Sequence, residues 1–243
     1  MKKVLIASLF ASLSLSAMAK ETLNFGTEAS YAPFEFIGSD NKIQGFDIDL
    51  AQAICQQIDA DCQFKNQSFD SLIASLKFRR IDAAMASMDV TPERQKQVLF
   101  TNTYYLNSAL FVAEKNKFKD IASLQGKRIG VQNGTTHQKY LNDLHHELTT
   151  VPYDSYQNAI IDLKNGRIDA VFGDTAVGTE ALKHQQTLAP VGDKIQDKNY
   201  FSTGIAIAVR PGNTALQQKL DAGLKTIKDN GTYQKIYQKW FQK

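Results

Sequence analysis

Two stretches of the chain carry the same passage from helix to strand. Leu76-Lys77 … Arg80-Ile81-Asp82-Ala83 returns as Leu163-Lys164 … Arg167-Ile168-Asp169-Ala170, at a constant offset of 87. Such a passage can arise twice by chance, but the flanks agree as well. Phe69 stands against Tyr156 and Ile73 against Ile160. A chain that repeats one β/α unit at that distance is expected to fold as two similar lobes.

The surrounding pattern agrees. Strand-like TLNFGT, CQFKNQ and IDAAMASM alternate with helix-like GFDIDLAQAICQQI and FDSLIASLKFRR. Further on, KRIGVQ, TTVPY and IDAVFG alternate with TTHQKYLNDLH and SYQNAIIDLKNGR. Alternation of this kind implies β-α-β units and a largely parallel sheet. EASYAPFEFIGSDNKIQ reads as a loop. FTNTYYLNSALFVAEK is β-branched and aromatic, without helical period, and is expected to cross from one lobe to the other. YFSTGIAIAVR would bring the chain back. The tail reads as two helices broken at Asn230-Gly231.

The first residues, MKKVLIASLFASLSLSAMAK, have a basic start, an apolar run and a small-residue cleavage site, which is the pattern of a secretory leader. The run is too short for a membrane span. The expected division is residues 1–19 as signal peptide, 20–107 with 205–243 as one lobe, and 108–204 as the other. The mature chain is expected to be exported to the periplasm and soluble. Its formal net charge of +3 falls close to neutral once Lys2 and Lys3 leave, which argues against a nucleic-acid partner. Cys55 and Cys62 in an exported chain read as a disulfide pinning a helix to the next strand. No metal or cofactor pattern is present, and none is expected.

The repeat places Ser87 and Asp174 in register, each just past the carboxyl end of its lobe's strand, where open α/β sheets bind ligands. Nearby, Thr91 fits an N-cap and Pro92 a first helical position, with Arg94 in the first turn. Arg94 reads equally well as a surface arginine paired with Glu93 or Asp89, or as a site for a carboxylate or phosphate. Asn133-Gly134-Thr135-Thr136 opens a helix in the second lobe in the same way. Asp89 and Asp174 could hold an ammonium, or could merely bond nearby backbone N–H groups. An anion site and a cation site in one cleft suggest a zwitterion. Tyr31 and Phe69 are candidates to stack on a ligand, whereas Phe34 and Phe36 read as packing residues. Glu28 could accept a terminal cation. No H-E-x-x-H, G-x-S-x-G or phosphate-loop pattern is present.

GTEASYAPFEF, GFDIDLAQAIC, FDSLIASLK, MDVTPER, NGTTHQKY, NGRIDAVFGD and DNGTYQKI are spread along the mature chain and carry a resemblance that covers essentially all of it. As a set they resemble the periplasmic solute-binding proteins of ABC importers for polar and basic amino acids, near the arginine-binding members. The resemblance implies a type II binding-protein fold: two α/β lobes joined by two crossing strands, closing over one amino acid. It implies that Arg94 holds the ligand α-carboxylate with help from Ser87 and the Thr136 backbone. Asp174 and Asp89 would hold the α-ammonium, and Met88 is counted in the same stretch. Tyr31 and Phe69 would sandwich the side chain. Glu28 takes the place where relatives often carry Asp, and Gln132 and His137 would line the far end. The family disulfide maps onto Cys55 and Cys62. The implied partners are L-arginine, or else lysine, ornithine or histidine, and an ABC permease at the inner membrane; the protein would act as a monomer. Two other readings are open: a dehydratase-like enzyme on the same scaffold, with Glu28 and His137 as acid and base, and a free sensor.

Overall fold

The structure is a computed structural model that describes residues 20–201 and 203–242. The expected leader, residues 1–19, lies outside the described residues. The chain opens with β1 (Glu21–Thr27), a ribbon of β2 (Ser30–Tyr31), β3 (Glu35–Ile37) and β4 (Ile43–Gln44), and then α1 (Phe46–Gln57). After β5 (Ala60–Asn66), a 3-10 turn at Phe69–Ser71 leads into α2 (Leu72–Lys77), β6 (Ala83–Ala84), α3 (Pro92–Gln95) and β7 (Leu99–Phe100). There follow β8 (Ala109–Glu114), β9 (Arg128–Gln132), α4 (Thr136–Leu144), β10 (Thr149–Tyr153) and α5 (Tyr156–Lys164). Next come β11 (Ala170–Asp174), α6 (Thr175–His184) and β12 (Leu188–Ile195). The chain returns through β13 (Ala208–Val209) and ends in α7 (Thr214–Asp229) and α8 (Thr232–Phe241).

Two five-stranded sheets result, ordered β5-β1-β6-β13-β7 and β10-β9-β11-β8-β12. In each, the first three strands are parallel. The strand delivered by a crossing segment runs antiparallel to them: β13 against β6, and β8 against β11. A chain arriving from the other lobe enters at the carboxyl edge of the sheet, so it must run the opposite way. The parallel pattern expected from the sequence therefore holds for the β-α-β part of each lobe and not for the crossing strands.

The 87-residue echo has a structural cause. Asp82 accepts from the backbone N of Asn24 at 2.8 Å and returns its own N–H to the Asn24 carbonyl at 2.8 Å. Asp169 does the same with Arg128, at 2.9 and 2.8 Å. The preceding turn also matches. Arg80 N bonds Ser75 O and Arg167 N bonds Asp162 O, both at 2.9 Å. The left-handed residue in that turn is Arg79 (φ 56) in one copy and Gly166 (φ 69) in the other. The repeated Arg-Ile-Asp-Ala is thus a clasp that starts β6 and β11 beside β1 and β9.

Three sequence expectations are corrected. The segment read as a loop carries the β2-β3-β4 ribbon. The strand read over IDAAMASM keeps ladder pairing only at Ala83-Ala84, because Ser87 turns the chain with φ 48. Residues 175–199, given no element from sequence, hold α6 and β12. Gly178 within α6, and Pro190 and Gly192 within β12, blur both periodic signals.

The first sheet is packed on both faces. Phe25, Leu50, Ile54, Leu220 and Ile227 form one side, and Leu72, Leu76, Ile81 and Met88 the other. In the second lobe Phe111 and Phe172 stack at 4.1 Å within a separate cluster. Cys55 in α1 and Cys62 in β5 are disulfide-bonded, with Cα atoms 6.1 Å apart. The tail breaks where expected: Gly231, with φ 78, separates α7 from α8.

Candidate functional site

A narrow cavity lies between the lobes, at the carboxyl edges of both sheets. From the first lobe, Glu28, Tyr31, Phe69, Ser87, Asp89 and Arg94 line it; from the second come Gln132, Thr136, His137 and Asp174. Glu35, Ala86 and Thr135 line it as well. Met88 does not. Its side chain is buried in the apolar cluster with Leu72 and Leu76, since the turn at Ser87 sends Ser87 and Asp89 to the cavity and leaves Met88 in the core.

Thr91 caps α3, its hydroxyl accepting from Arg94 N at 3.2 Å, with Pro92 in the first turn. This puts the Arg94 side chain at the cavity mouth, where a wider groove between the lobes begins. Arg94 is 8% exposed and forms no carboxylate ion pair among the described residues. Its Nη1 donates to the Asp89 carbonyl at 2.9 Å and its Nη2 to the Gly134 carbonyl of the other lobe at 3.2 Å. The guanidinium carbon lies 5.3 Å from the Phe69 ring centroid, in cation–π range. The surface-arginine alternative is therefore removed. Burial pulls its pKa down, while Asp89 and Asp174 push it up. Gly134 is required here, because a Cβ would come within 2.9 Å of Asp70 Cβ and φ is +73.

The two aspartates do not serve local backbone. Asp174 precedes α6, yet its side chain makes no cap bond. Asp89 Oδ2 accepts from Thr136 Oγ1 across the cleft at 2.8 Å. Both carboxylates accept from the amide of Asn107, a residue the sequence reading passed over. His137 was expected at the far end with Gln132. It lines the same cavity, its Nε2 3.0 Å from Asp174 Oδ1 but off the hydrogen-bond direction, with its ring stacked on Phe201. Gln132 lines the cavity with Glu28, and its amide donates to the Asp154 carbonyl at 3.4 Å. Tyr31 sits edge-on to Tyr156 at 5.9 Å, and its hydroxyl accepts from Asp174 N at 3.2 Å. Phe34 and Phe36 are packing residues, as expected: Phe34 lies in the core and Phe36 meets Trp240.

Behind the cavity lies a buried acid network that sequence reasoning also missed. Glu35 pairs with Tyr31 across the β2-β3 ribbon, so both side chains share one face. Glu35 lies close enough to Asp47, the second residue of α1, for the two charges to act on each other. Asp47 Oδ2 accepts from Ser87 N at 3.0 Å and from Tyr104 Oη at 2.8 Å, and so holds Ser87 in its left-handed turn. Burial, then the charges of Asp47 and Glu28, push Glu35 well above the ordinary carboxyl range. Burial pushes Asp47 up to about 7. Burial and then Asp174 raise Asp89, and burial raises Glu28.

These folded-state values lie above the unfolded ones, so the folded chain binds protons that the unfolded chain releases. The stability they contribute is complete below Asp47's ordinary 3.8 and is lost as pH rises through about 7. Thermal unfolding of ligand-free protein should show a midpoint that falls from about pH 5 to about pH 8, with Asp47→Asn flattening the fall. A midpoint rising over that range would mean that these acids ionise freely.

The family model described as bacterial extracellular solute-binding proteins, family 3, matches residues 23–243. The chain belongs to that family. It is therefore a solute-binding protein, and its cavity lies where the two lobes of such a protein meet. It is 66% identical over 243 residues, the full length of both chains, to an Escherichia coli K12 protein provisionally named ABC transporter arginine-binding protein 2. It is 58% identical, over 99% of both chains, to ABC transporter arginine-binding protein 1 of the same strain. Among solved structures it is similar to a Salmonella typhimurium periplasmic binding protein described for high arginine specificity. The TM-score is 0.89 at 48% identity, covering 91% of this chain and 99% of that one. Among the described residues no helix is long and apolar enough to cross a membrane.

Proposed function

We propose that this solute-binding protein captures L-arginine in the interlobe cavity and delivers it to an ABC permease at the inner membrane. One observation carries the reading. A buried guanidinium without a carboxylate partner, Arg94, shares a cavity with Asp89, Asp174 and Glu28. A buried cation calls for an anion, and the acids outnumber it. A ligand with one carboxylate, one ammonium and a second cation gives each of these groups a partner of opposite charge. Arg94 takes the α-carboxylate, Asp89 and Asp174 the α-ammonium. Glu28, steadied by Ser30 Oγ at 2.5 Å, takes the terminal cation. A flat guanidinium suits Tyr31, Phe69 and a carboxylate better than an ammonium does. The names of the relatives support arginine independently.

In this reading the moving bodies are residues 20–107 with 205–243, and residues 108–204, hinged at the crossing segments. The protein acts in the periplasm after loss of residues 1–19, as a monomer and without catalysis. The acid–base alternative gains no support from His137, whose ring stacks on Phe201 and whose Nε2 lies beside Asp174.

The test is titration calorimetry on protein unfolded and refolded to strip carried-over ligand, against arginine, lysine, ornithine, histidine and glutamine. Tight heat selective for arginine is expected. Silence with all five would place the ligand outside this class.

A further inference from the structure

Asn107 lies in the segment that carries the chain from the first sheet to the second. Backbone pairing fixes its place from both sides. Asp89 and Tyr105 each bridge to Ile205, and Asp174 pairs with Ala109 in β8. Asn107 therefore stands between the backbones that carry the two cleft aspartates, and it is 3% exposed. Its Oδ1 accepts from Ser108 N at 2.8 Å, which settles the orientation of the amide. Its Nδ2 then donates to Asp89 Oδ1 at 3.0 Å and to Asp174 Oδ1 at 2.6 Å.

Two buried carboxylates of different lobes are drawn to one nitrogen, although like charges at that range repel. The other groups facing them each reach one side. Thr136 bonds Asp89, His137 stands beside Asp174, and Arg94 bonds the Asp89 backbone. A lysine in place of the amide would neutralise the pair and compete with an incoming amine. A neutral two-hydrogen donor holds the acids together and leaves their charge for the ligand.

We infer that Asn107 is the positioning residue of the ammonium subsite: its single amide holds one carboxylate from each lobe, and the ligand's α-ammonium completes the cluster. The inference rests on the reading of Asp89 and Asp174 as ammonium partners. Because Asn107 belongs to the crossing segment, parting the lobes parts the two acids, so the subsite is whole only when the lobes meet.

The test compares wild type with Asn107→Ala, using arginine and desamino-arginine, which lacks only the α-amine. Loss of a hydrogen bond to a charged group should weaken arginine about 10- to 100-fold. Desamino-arginine should change little, which also shows that the variant is folded. Equal weakening of both ligands, or of neither, overturns the inference. A wild type that binds no arginine would sink the ligand reading separately. Asn107 is then judged on ligand-free protein by carbon-13 NMR of the Asp89 carboxyl. Its titration must move to higher pH in Asn107→Ala, and an unmoved titration overturns the inference.

Discussion

Arg94→Ala abolishes measurable binding of every amino acid in the calorimetric panel. The α-carboxylate is common to all of them, so the loss does not depend on the side chain. Arg94 presents five N–H donors, of which the structure pairs one with the Asp89 carbonyl and one with the Gly134 carbonyl. Both partners are neutral, so the positive charge is left for the ligand. Truncating one member of a buried charge pair costs roughly 2–5 kcal/mol, much of it from stranding the other charge. Here the stranded charge would be the ligand's own carboxylate. Arg94→Lys should recover little, because an ammonium cannot span two carbonyls and a carboxylate from one planar fork. It would also leave the Phe69 face without its flat partner. Affinity unchanged in Arg94→Ala would mean that the carboxylate binds elsewhere, and the orientation proposed for the ligand would be wrong.

The two-lobe plan could be read from the sequence because both lobes use the same hydrogen-bonded clasp. The clasp made by Asp82 and Asp169 needs the same residues at the same spacing in both lobes, so the repeat survives as letters. The cavity walls were legible for a related reason. Ser87, Asp89 and Asp174 follow strands at a register the repeat supplies, and Thr91-Pro92 and Gly134-Thr135 announce helix starts. What escaped depends on pairing between distant segments. Glu35 reaches the cavity only because β3 pairs with β2, and Asn107 only because the crossing segment passes between Asp89 and Asp174. Asn107 carried no signal of its own, because the same crossing stretch also holds Thr101, Asn102, Thr103 and Ser108. Met88 was misplaced because a motif gives neighbourhood without direction. The left-handed Ser87 turns Met88 inward, and packing against Phe172 and Phe201 brings His137 to Asp174.

Asp174→Asn should produce the second large loss of affinity while making the ligand-free protein more stable. Asp174 is 1% exposed and sits at the N-cap of α6, yet its side chain makes no cap bond to the helix. Its charge instead raises the proton affinity of its neighbours. It is the largest source after burial for Asp89 and also acts on Glu35 and Asp47. An asparagine keeps the volume and an oxygen that can still accept from Asn107, and it removes the repulsion. Unfolding of the ligand-free variant should therefore come later by on the order of 1 kcal/mol, as is usual when a strained binding site is relaxed. Arginine affinity should fall by roughly 2–5 kcal/mol, because the α-ammonium loses one of its two charged partners. The paired measurement is a denaturant melt without ligand and a titration with it. Affinity retained would place the ammonium away from Asp174. Affinity and stability lost together would make Asp174 a structural residue. Opposite signs are the mark of a charge held in the fold for its ligand.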